Sequence, residues 1–253
     1  VIGNPIAHSL SPKLHNYWLK KYNINAVYNK KKINEDNIKD IITRVRDEKI
    51  HGINVTVPFK KSIIPFLDRI TPLAKKTQSV NTIFKKNNKV IGDNTDVGGF
   101  KKALKYTNYN VKKKKALILG AGGVAPSIIL SLKELGIRKI TLSNRTKKKA
   151  EDLKKKNPNL QIINWDEICD CNYDIFINAT SIGLKTKDKI NLGYFIDQNG
   201  SNFKKKNKVL KKNKLFYDVI YNPKKTNFLL EGEKLGNKIA NGKMMFIYQA
   251  QLA

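Results

Sequence analysis

The chain has 253 residues, 40% of them hydrophobic, enough to bury the core of one large domain or two ordinary ones. Its 50 Lys and Arg against 20 Asp and Glu give a formal net charge of +30, yet only Arg44, Arg46, Arg69, Arg138 and Arg145 are arginines. Specific nucleic-acid readers lean on Arg forks, and these lysines lie in short runs between apolar segments, so they read as solvated faces of a Lys- and Asn-biased sequence that can steer small anions rather than as a nucleic-acid tract.

In chain order, "VIGNPI" reads as a short strand, and no charged-then-apolar leader precedes it, so no secretory signal is expected. Ser11 and Pro12 read as N-cap and first turn of a helix whose Leu14, Trp18 and Tyr22 recur at helical spacing. "NAVYNKKKI" is a predicted second strand. Glu35 and Asp36 open a helix with Ile38, Ile41, Ile42 and Val45 as its buried stripe. "INVTV" is a third strand, and "VNTIFKKNNKVIGDN" a hairpin turning at Asn87-Asn88. A helix is expected to begin near Thr95.

The second half repeats a strand–helix rhythm. "KKALILG" is an apolar strand, 124–135 a helix closed by Gly136, "KITLSN" a strand and 147–156 a helix. "LQIINW", "YDIFINAT" and "LFYDVIY" are further strands, and 198–214 a polar surface loop. Unbroken apolar strands between helices imply a parallel sheet covered on both faces, hence an α/β protein. Cys169 and Cys171 alternate across an extended segment, which suits two reduced thiols in a cytoplasmic protein better than a disulfide or a metal site, and no metal is expected. No apolar run reaches the roughly 18 residues of a membrane span. The first residue is not Met and "QAQLA" stops inside a helical pattern, so the sequence reads as a trimmed chain.

Gly120-Ala121-Gly122-Gly123-Val124-Ala125 joins a strand to a helix with the spacing G-x-G-x-x-A. Glycine lets backbone approach a pyrophosphate, and the helix N-terminus faces the anion with its N–H groups. An NAD site places an acid at the end of the next strand. Here Asn144 and Arg145 stand instead, followed by Thr146 and Lys147 to Lys149, so a 2′-phosphate and NADP are predicted. Three polar segments follow strands of the first half: Ser9 and Ser11; Asn54, Thr56 and Lys60; Asn81, Thr82 and Asp96. Carbonyl reduction needs a proton donor, and amides and hydroxyls suit a polyhydroxylated substrate.

"GNPIAHSLSPKLHN", "NVTVPFK", "VNT", "GDNTDVGGF", "GAGGVA", "NRT", "NATSIG", "YDVIYNPKKTNFL" and "NGKMMFIYQAQLA" resemble, in order and nearly end to end, the motifs of the shikimate dehydrogenases. The resemblance implies NADPH-dependent reduction of 3-dehydroshikimate to shikimate on the way to aromatic amino acids. It implies two α/β domains: a mostly parallel-sheet substrate domain, 1–97 plus the returning C-terminal helix 243–253, and a Rossmann-type NADP domain, 98–242, with the active site between them. By the same likeness Lys60 is the catalytic lysine and Asp96 its partner. Ser9, Ser11, Asn54, Thr56, Asn81, Tyr221 and Gln249 hold the substrate. Gly120 to Ala125 bind the pyrophosphate; Asn144, Arg145, Thr146 and Lys149 the adenosine phosphate; Thr180, Val219 and Gly242 the nicotinamide. Lys149 departs from the arginine common there and cannot form the same bidentate bond. Quinate use, or NAD in place of NADP, is the alternative within the family. A small-molecule partner, no nucleic acid, no membrane, and a monomer or homodimer complete the expectation.

Overall fold

A computed structural model describes residues 1–165, 173–185 and 213–253. Cys169, Cys171 and nearly all of 198–214 lie outside the described residues. The chain divides into two compact units, Val1–Phe100 with Ile247–Ala253, and Lys101–Phe246.

The first unit carries β1 (Ile2–Gly3), α1 (Ser11–Lys21), β2 (Lys31–Lys32), α2 (Ile38–Arg46), β3 (Gly52–Asn54), β4 (Arg69–Ile70), α3 (Pro72–Thr77), β5 (Thr82–Lys86) and β6 (Lys89–Asp93). The sheet order is β3-β5-β6-β4. β1 pairs with β2, and Ile2 with Val55 beyond the end of β3, both in parallel. β4 and β6 are also parallel, whereas β3–β5 and β5–β6 are antiparallel. The β5–β6 hairpin turns on Asn87 and Asn88, whose φ of 50° and 59° is the left-handed pair a two-residue hairpin turn requires. Ile38, Ile41, Ile42 and Val45 of α2 do form its buried face, packed with Ile53, Val55, Ile63 and Ile83.

Two local expectations are corrected. Within 25–33 only Lys31–Lys32 is strand, because β1 offers a partner just two residues long. Ser11 is the first helical residue of α1 rather than its cap, and the Ser9 hydroxyl accepts its N–H at 3.3 Å. No residue of α1 is fully buried, and Tyr22 is exposed.

The chain leaves the first unit within α4 (Asp96–Tyr106) and re-enters it within α8 (Lys243–Gln251). Between them run β7 (Lys115–Leu119), α5 (Ala125–Glu134), β8 (Lys139–Ser143), α6 (Lys147–Lys156), β9 (Gln161–Ile163), β10 (Ile175–Asn178), β11 (Leu215–Asp218), α7 (Asn227–Lys234) and β12 (Lys238–Ala240). The six strands are parallel in the order β12-β11-β10-β7-β8-β9. Counted within the unit that is 6-5-4-1-2-3, the doubly wound dinucleotide-binding order, with the reversal between β7 and β10. Leu117, Phe176, Phe216 and Phe228 fill one core, with Phe176 stacked on Phe216 at 4.8 Å. Among the described residues no helix is long and apolar enough to cross a membrane, and no cluster of His, Cys, Asp and Glu could hold a metal ion.

Candidate active site

In the first unit the chain turns sharply after β3. Phe59 N–H donates to the Thr56 carbonyl at 3.0 Å, and the Lys60 carbonyl accepts Val80 N–H at 2.8 Å, which fixes the lysine backbone against the segment leading into β5. Lys60 Nζ then lies 2.5 Å from Asp96 Oδ2, with Lys60 9% and Asp96 4% exposed. Asp96 opens α4 but does not cap it. Asn94 Oδ1 accepts Val97 N–H at 3.2 Å, leaving the aspartate for the lysine.

Asn81 joins three elements. Its Oδ1 accepts Thr95 N–H at 2.8 Å, and its Nδ2 lies 2.9 Å from Thr95 Oγ1, 3.1 Å from Asp96 Oδ1 and 3.3 Å from Gln249 Oε1. Gln249 sits this close because α8 crosses α4 at Gly99, where an added Cβ would lie 2.8 Å from the Gln249 backbone nitrogen. Asn54 Nδ2 donates to the Asn81 carbonyl at 3.2 Å and to Thr82 Oγ1 at 3.0 Å. Lys60, Asp96, Asn81, Gln249 and Asn54 thus form one cluster. Half-buried Thr56 puts its methyl over Gly3, while Ser9 and Ser11 bond to each other where the chain enters α1. Tyr221 belongs to the second unit and stacks on Phe246 at 4.8 Å. Thr82, part of the third polar segment of the sequence, and Thr95, for which no role was expected, tie the cluster together. "VNT" and "DNTD" contain them, but a bridging hydroxyl leaves no pattern beyond such adjacency.

In the second unit Gly120 has φ 105°, and an added Cβ would meet the Ala179 carbonyl oxygen at 2.8 Å, so the turn after β7 requires glycine. Gly122 and Gly123 are exposed, Ala121 and Val124 half-buried, and Ala125 is buried where α5 meets the sheet. Asn144 Oδ1 accepts Ala121 N–H at 3.0 Å, and its Nδ2 donates to the Thr146 carbonyl at 2.8 Å. The asparagine therefore locks the glycine turn to the loop that follows β8.

Arg145, Thr146 and Lys149 are exposed at the start of α6, whose first turn has no acidic residue. Lys147, Lys148 and Lys149 stand at the positive end of that helix, an arrangement unfavourable by itself and suited to a bound anion. A cavity of 260 Å³ opens beside it, lined by Asn144, Arg145, Lys147, Ile162 and Trp165. These residues fit a dinucleotide bearing a 2′-phosphate.

Beyond the sheet reversal, the Thr180 hydroxyl and N–H donate to Asn178 Oδ1 at 2.7 and 3.0 Å, and Val219 N–H to the Asn178 carbonyl at 3.0 Å. Gly242 N–H donates to the Ile220 carbonyl at 3.0 Å. These loops hang on buried Asp218, which accepts from Asn178 Nδ2 at 3.1 Å, Ile220 N–H at 2.9 Å and the Thr226 hydroxyl at 2.6 Å. Burial pushes its pKa up to about 6 although those donors pull it down.

A doubly wound sheet with a glycine turn and a basic second loop, joined to a unit holding a buried lysine–aspartate pair, defines a dinucleotide-dependent oxidoreductase. Residues 1–83 match the family model described as shikimate dehydrogenase substrate binding domain, and 101–189 that described as shikimate / quinate 5-dehydrogenase. The chain is 58% identical over 253 residues to shikimate dehydrogenase (NADP(+)) of Pelagibacter ubique (strain HTCC1062), across 100% of this chain and 90% of that protein. The crystal structure of shikimate dehydrogenase from Aquifex aeolicus superposes with a TM-score of 0.85 at 37% identity, covering 98% of this chain and 87% of that one. Shikimate 5-dehydrogenase of Thermus thermophilus, solved in complex with NADP(H) and shikimate, gives 0.85 at 28% identity over 99% and 89%. The chain belongs to the shikimate dehydrogenase family.

Proposed function

We propose that the protein reversibly reduces 3-dehydroshikimate to shikimate with NADPH, in cytoplasmic aromatic amino-acid biosynthesis, as a monomer or homodimer. The observation that carries the mechanism is the buried Lys60–Asp96 pair among amides and hydroxyls. When bound, NADPH supplies the hydride that adds to the carbonyl carbon. Lys60 Nζ donates a proton to the carbonyl oxygen as it becomes a hydroxyl, and takes that proton back in the oxidative direction. Asp96 holds the ammonium by a charge-assisted hydrogen bond, and Asn81 occupies its other oxygen, so the carboxylate cannot rotate away.

Asn54, Asn81 and Gln249, with Ser9, Ser11, Thr56 and Tyr221, supply the donors and acceptors for the ring hydroxyls and the carboxylate. Gly120 to Ala125 receive the pyrophosphate, Asn144, Arg145, Thr146 and Lys149 the adenosine phosphate, and Thr180, Val219 and Gly242 the nicotinamide end. Arg145 among lysines, where an NAD site carries an acid, supports NADP.

The test is the rise of NADPH absorbance when purified protein meets shikimate and NADP, run beside quinate and NAD. Faster turnover with quinate, or with NAD, would replace this assignment by the relaxed relative.

A further inference from the structure

The motif "KLHN" contributes nothing to the chemistry above through His15 and Asn16, yet both grip one residue. Asn16 Nδ2 donates to the Tyr28 carbonyl and its Oδ1 accepts Tyr28 N–H, each at 2.8 Å. The His15 ring stacks on the Tyr28 ring with centroids 4.1 Å apart and planes within 3°. Backbone and ring of Tyr28 are thus both held, although the residue lies on the connection between α1 and β2.

The Tyr28 hydroxyl meets Asn54 Oδ1 at 2.5 Å. The direction of this bond is fixed by its surroundings. Asn54 turns its other amide atom to the Asn81 carbonyl, which can only accept, so that atom is Nδ2 and the one facing Tyr28 is oxygen. The phenol therefore donates. Burial pushes its pKa above the usual tyrosine range, which keeps the proton in place.

From Asn54 the bonds continue in one direction. Asn54 Nδ2 donates to Thr82 Oγ1 at 3.0 Å, Thr82 to Asn81 Oδ1 at 3.4 Å, and Asn81 Nδ2 to Asp96 Oδ1 at 3.1 Å. Asp96 is also the acceptor of Lys60. With both amide hydrogens of Asn54 engaged, what it can still offer a ligand is the second lone pair of Oδ1.

We propose that Tyr28 is a positioning residue: gripped by His15 and Asn16, it fixes the Asn54 amide as an acceptor for one hydroxyl of the substrate and begins a donor chain that ends on the Lys60–Asp96 pair. The inference rests on the shikimate reading only in that the hydroxyl belongs to shikimate.

Tyr28→Phe keeps the ring on His15 and removes the donor alone. The expected result is a KM for shikimate raised about three- to ten-fold, the worth of one hydrogen bond, with the KM for NADP unchanged. The preference for shikimate over analogues each lacking a single ring hydroxyl should shrink for one analogue and stay for the others. A merely structural role would move both KM values together, or neither, and would leave every preference as it was; either result overturns the proposal. Asn16→Ala, which releases the Tyr28 backbone without touching its hydroxyl, should show the same selective rise in weaker form and serves if Tyr28→Phe does not fold. A wild-type protein inert towards shikimate and NADP would sink the functional reading. An active wild type matched in every parameter by both variants would sink only the role of Tyr28.

Discussion

A lysine and an aspartate buried together at 2.5 Å are costly to desolvate, and precise placement of the amine rather than stability explains keeping them. Lys60→Met should lower kcat by about 10² to 10⁴, the usual worth of a positioned acid–base group, with little change in the KM for shikimate. Steady-state kinetics on folded protein checks this, and an unchanged kcat removes Lys60 from the proton transfer. Asp218 presents a different buried carboxyl, one that organises loops of the second unit. Its pKa is up at about 6, against an ordinary 3.8, so the folded protein binds this proton more tightly than the unfolded chain. The stabilisation is therefore complete below about pH 4 and is lost as pH rises through 6, by on the order of 3 kcal/mol if the shift is fully realised. Denaturant unfolding at acid and neutral pH should show this loss for the wild type and not for Asp218→Asn. Equal pH slopes for the two proteins would mean that the carboxyl is not desolvated as its surroundings indicate.

At the scale of elements, α4 and α8 can cross closely because Gly99 has no side chain. An alanine there would press on Gln249 Cβ, N and Cα at 2.7 to 2.9 Å, and backbone cannot step aside as a flexible side chain can. Gly99→Ala should cost about 1 to 3 kcal/mol, the range for overpacking, and weaken shikimate binding by moving Gln249 off Asn81, readable as a lower Tm with a raised KM. β8 contains the opposite case. Thr141 Oγ1 is fully buried without a hydrogen-bond partner among the described residues, so Thr141→Val should stabilise by about 1 kcal/mol in thermal unfolding. Elements with a repeating pattern were legible in the sequence. α6 begins and ends where its composition says, and the β5–β6 hairpin declares itself through paired asparagines that tolerate positive φ. β4, α3, α7 and β12 left no such pattern, since strands of two or three residues and helices of six and eight are too short to show a clear period. Residues 25–33 looked like strand because Val27, Tyr28 and Ile33 are strand-favouring, but pairing needs a partner of equal length and β1 has none to give. The polar cluster was half legible. Lys60, Asp96, Asn54 and Asn81 stand in quotable motifs, whereas Tyr28 becomes visible only when the link between α1 and β2 brings its hydroxyl to Asn54.

For the whole molecule the dominant number is the net charge of +30. Twenty acidic residues cannot balance 50 basic ones even with ion pairs such as Arg46–Asp68 and Lys225–Glu233, so a large positive excess stands uncompensated. Mutual repulsion among the basic residues opposes folding, while their combined field draws anions. Both effects decay with the Debye length, which shrinks from about 30 Å at 0.01 M salt to about 10 Å at 0.1 M. Salt should therefore act in opposite senses on stability and on capture. Between about 0.01 and 0.2 M of an inert salt, Tm should rise as repulsion is screened, and kcat/KM should fall. The fall should be steeper for NADP than for shikimate, because the cofactor carries several phosphate charges and the substrate one carboxylate. Measuring both slopes on the same preparation separates the explanations. If the two substrates respond alike, the field acts through ionic strength on the protein at large, and the basic loop from Arg145 to Lys149 has no special claim on the phosphate.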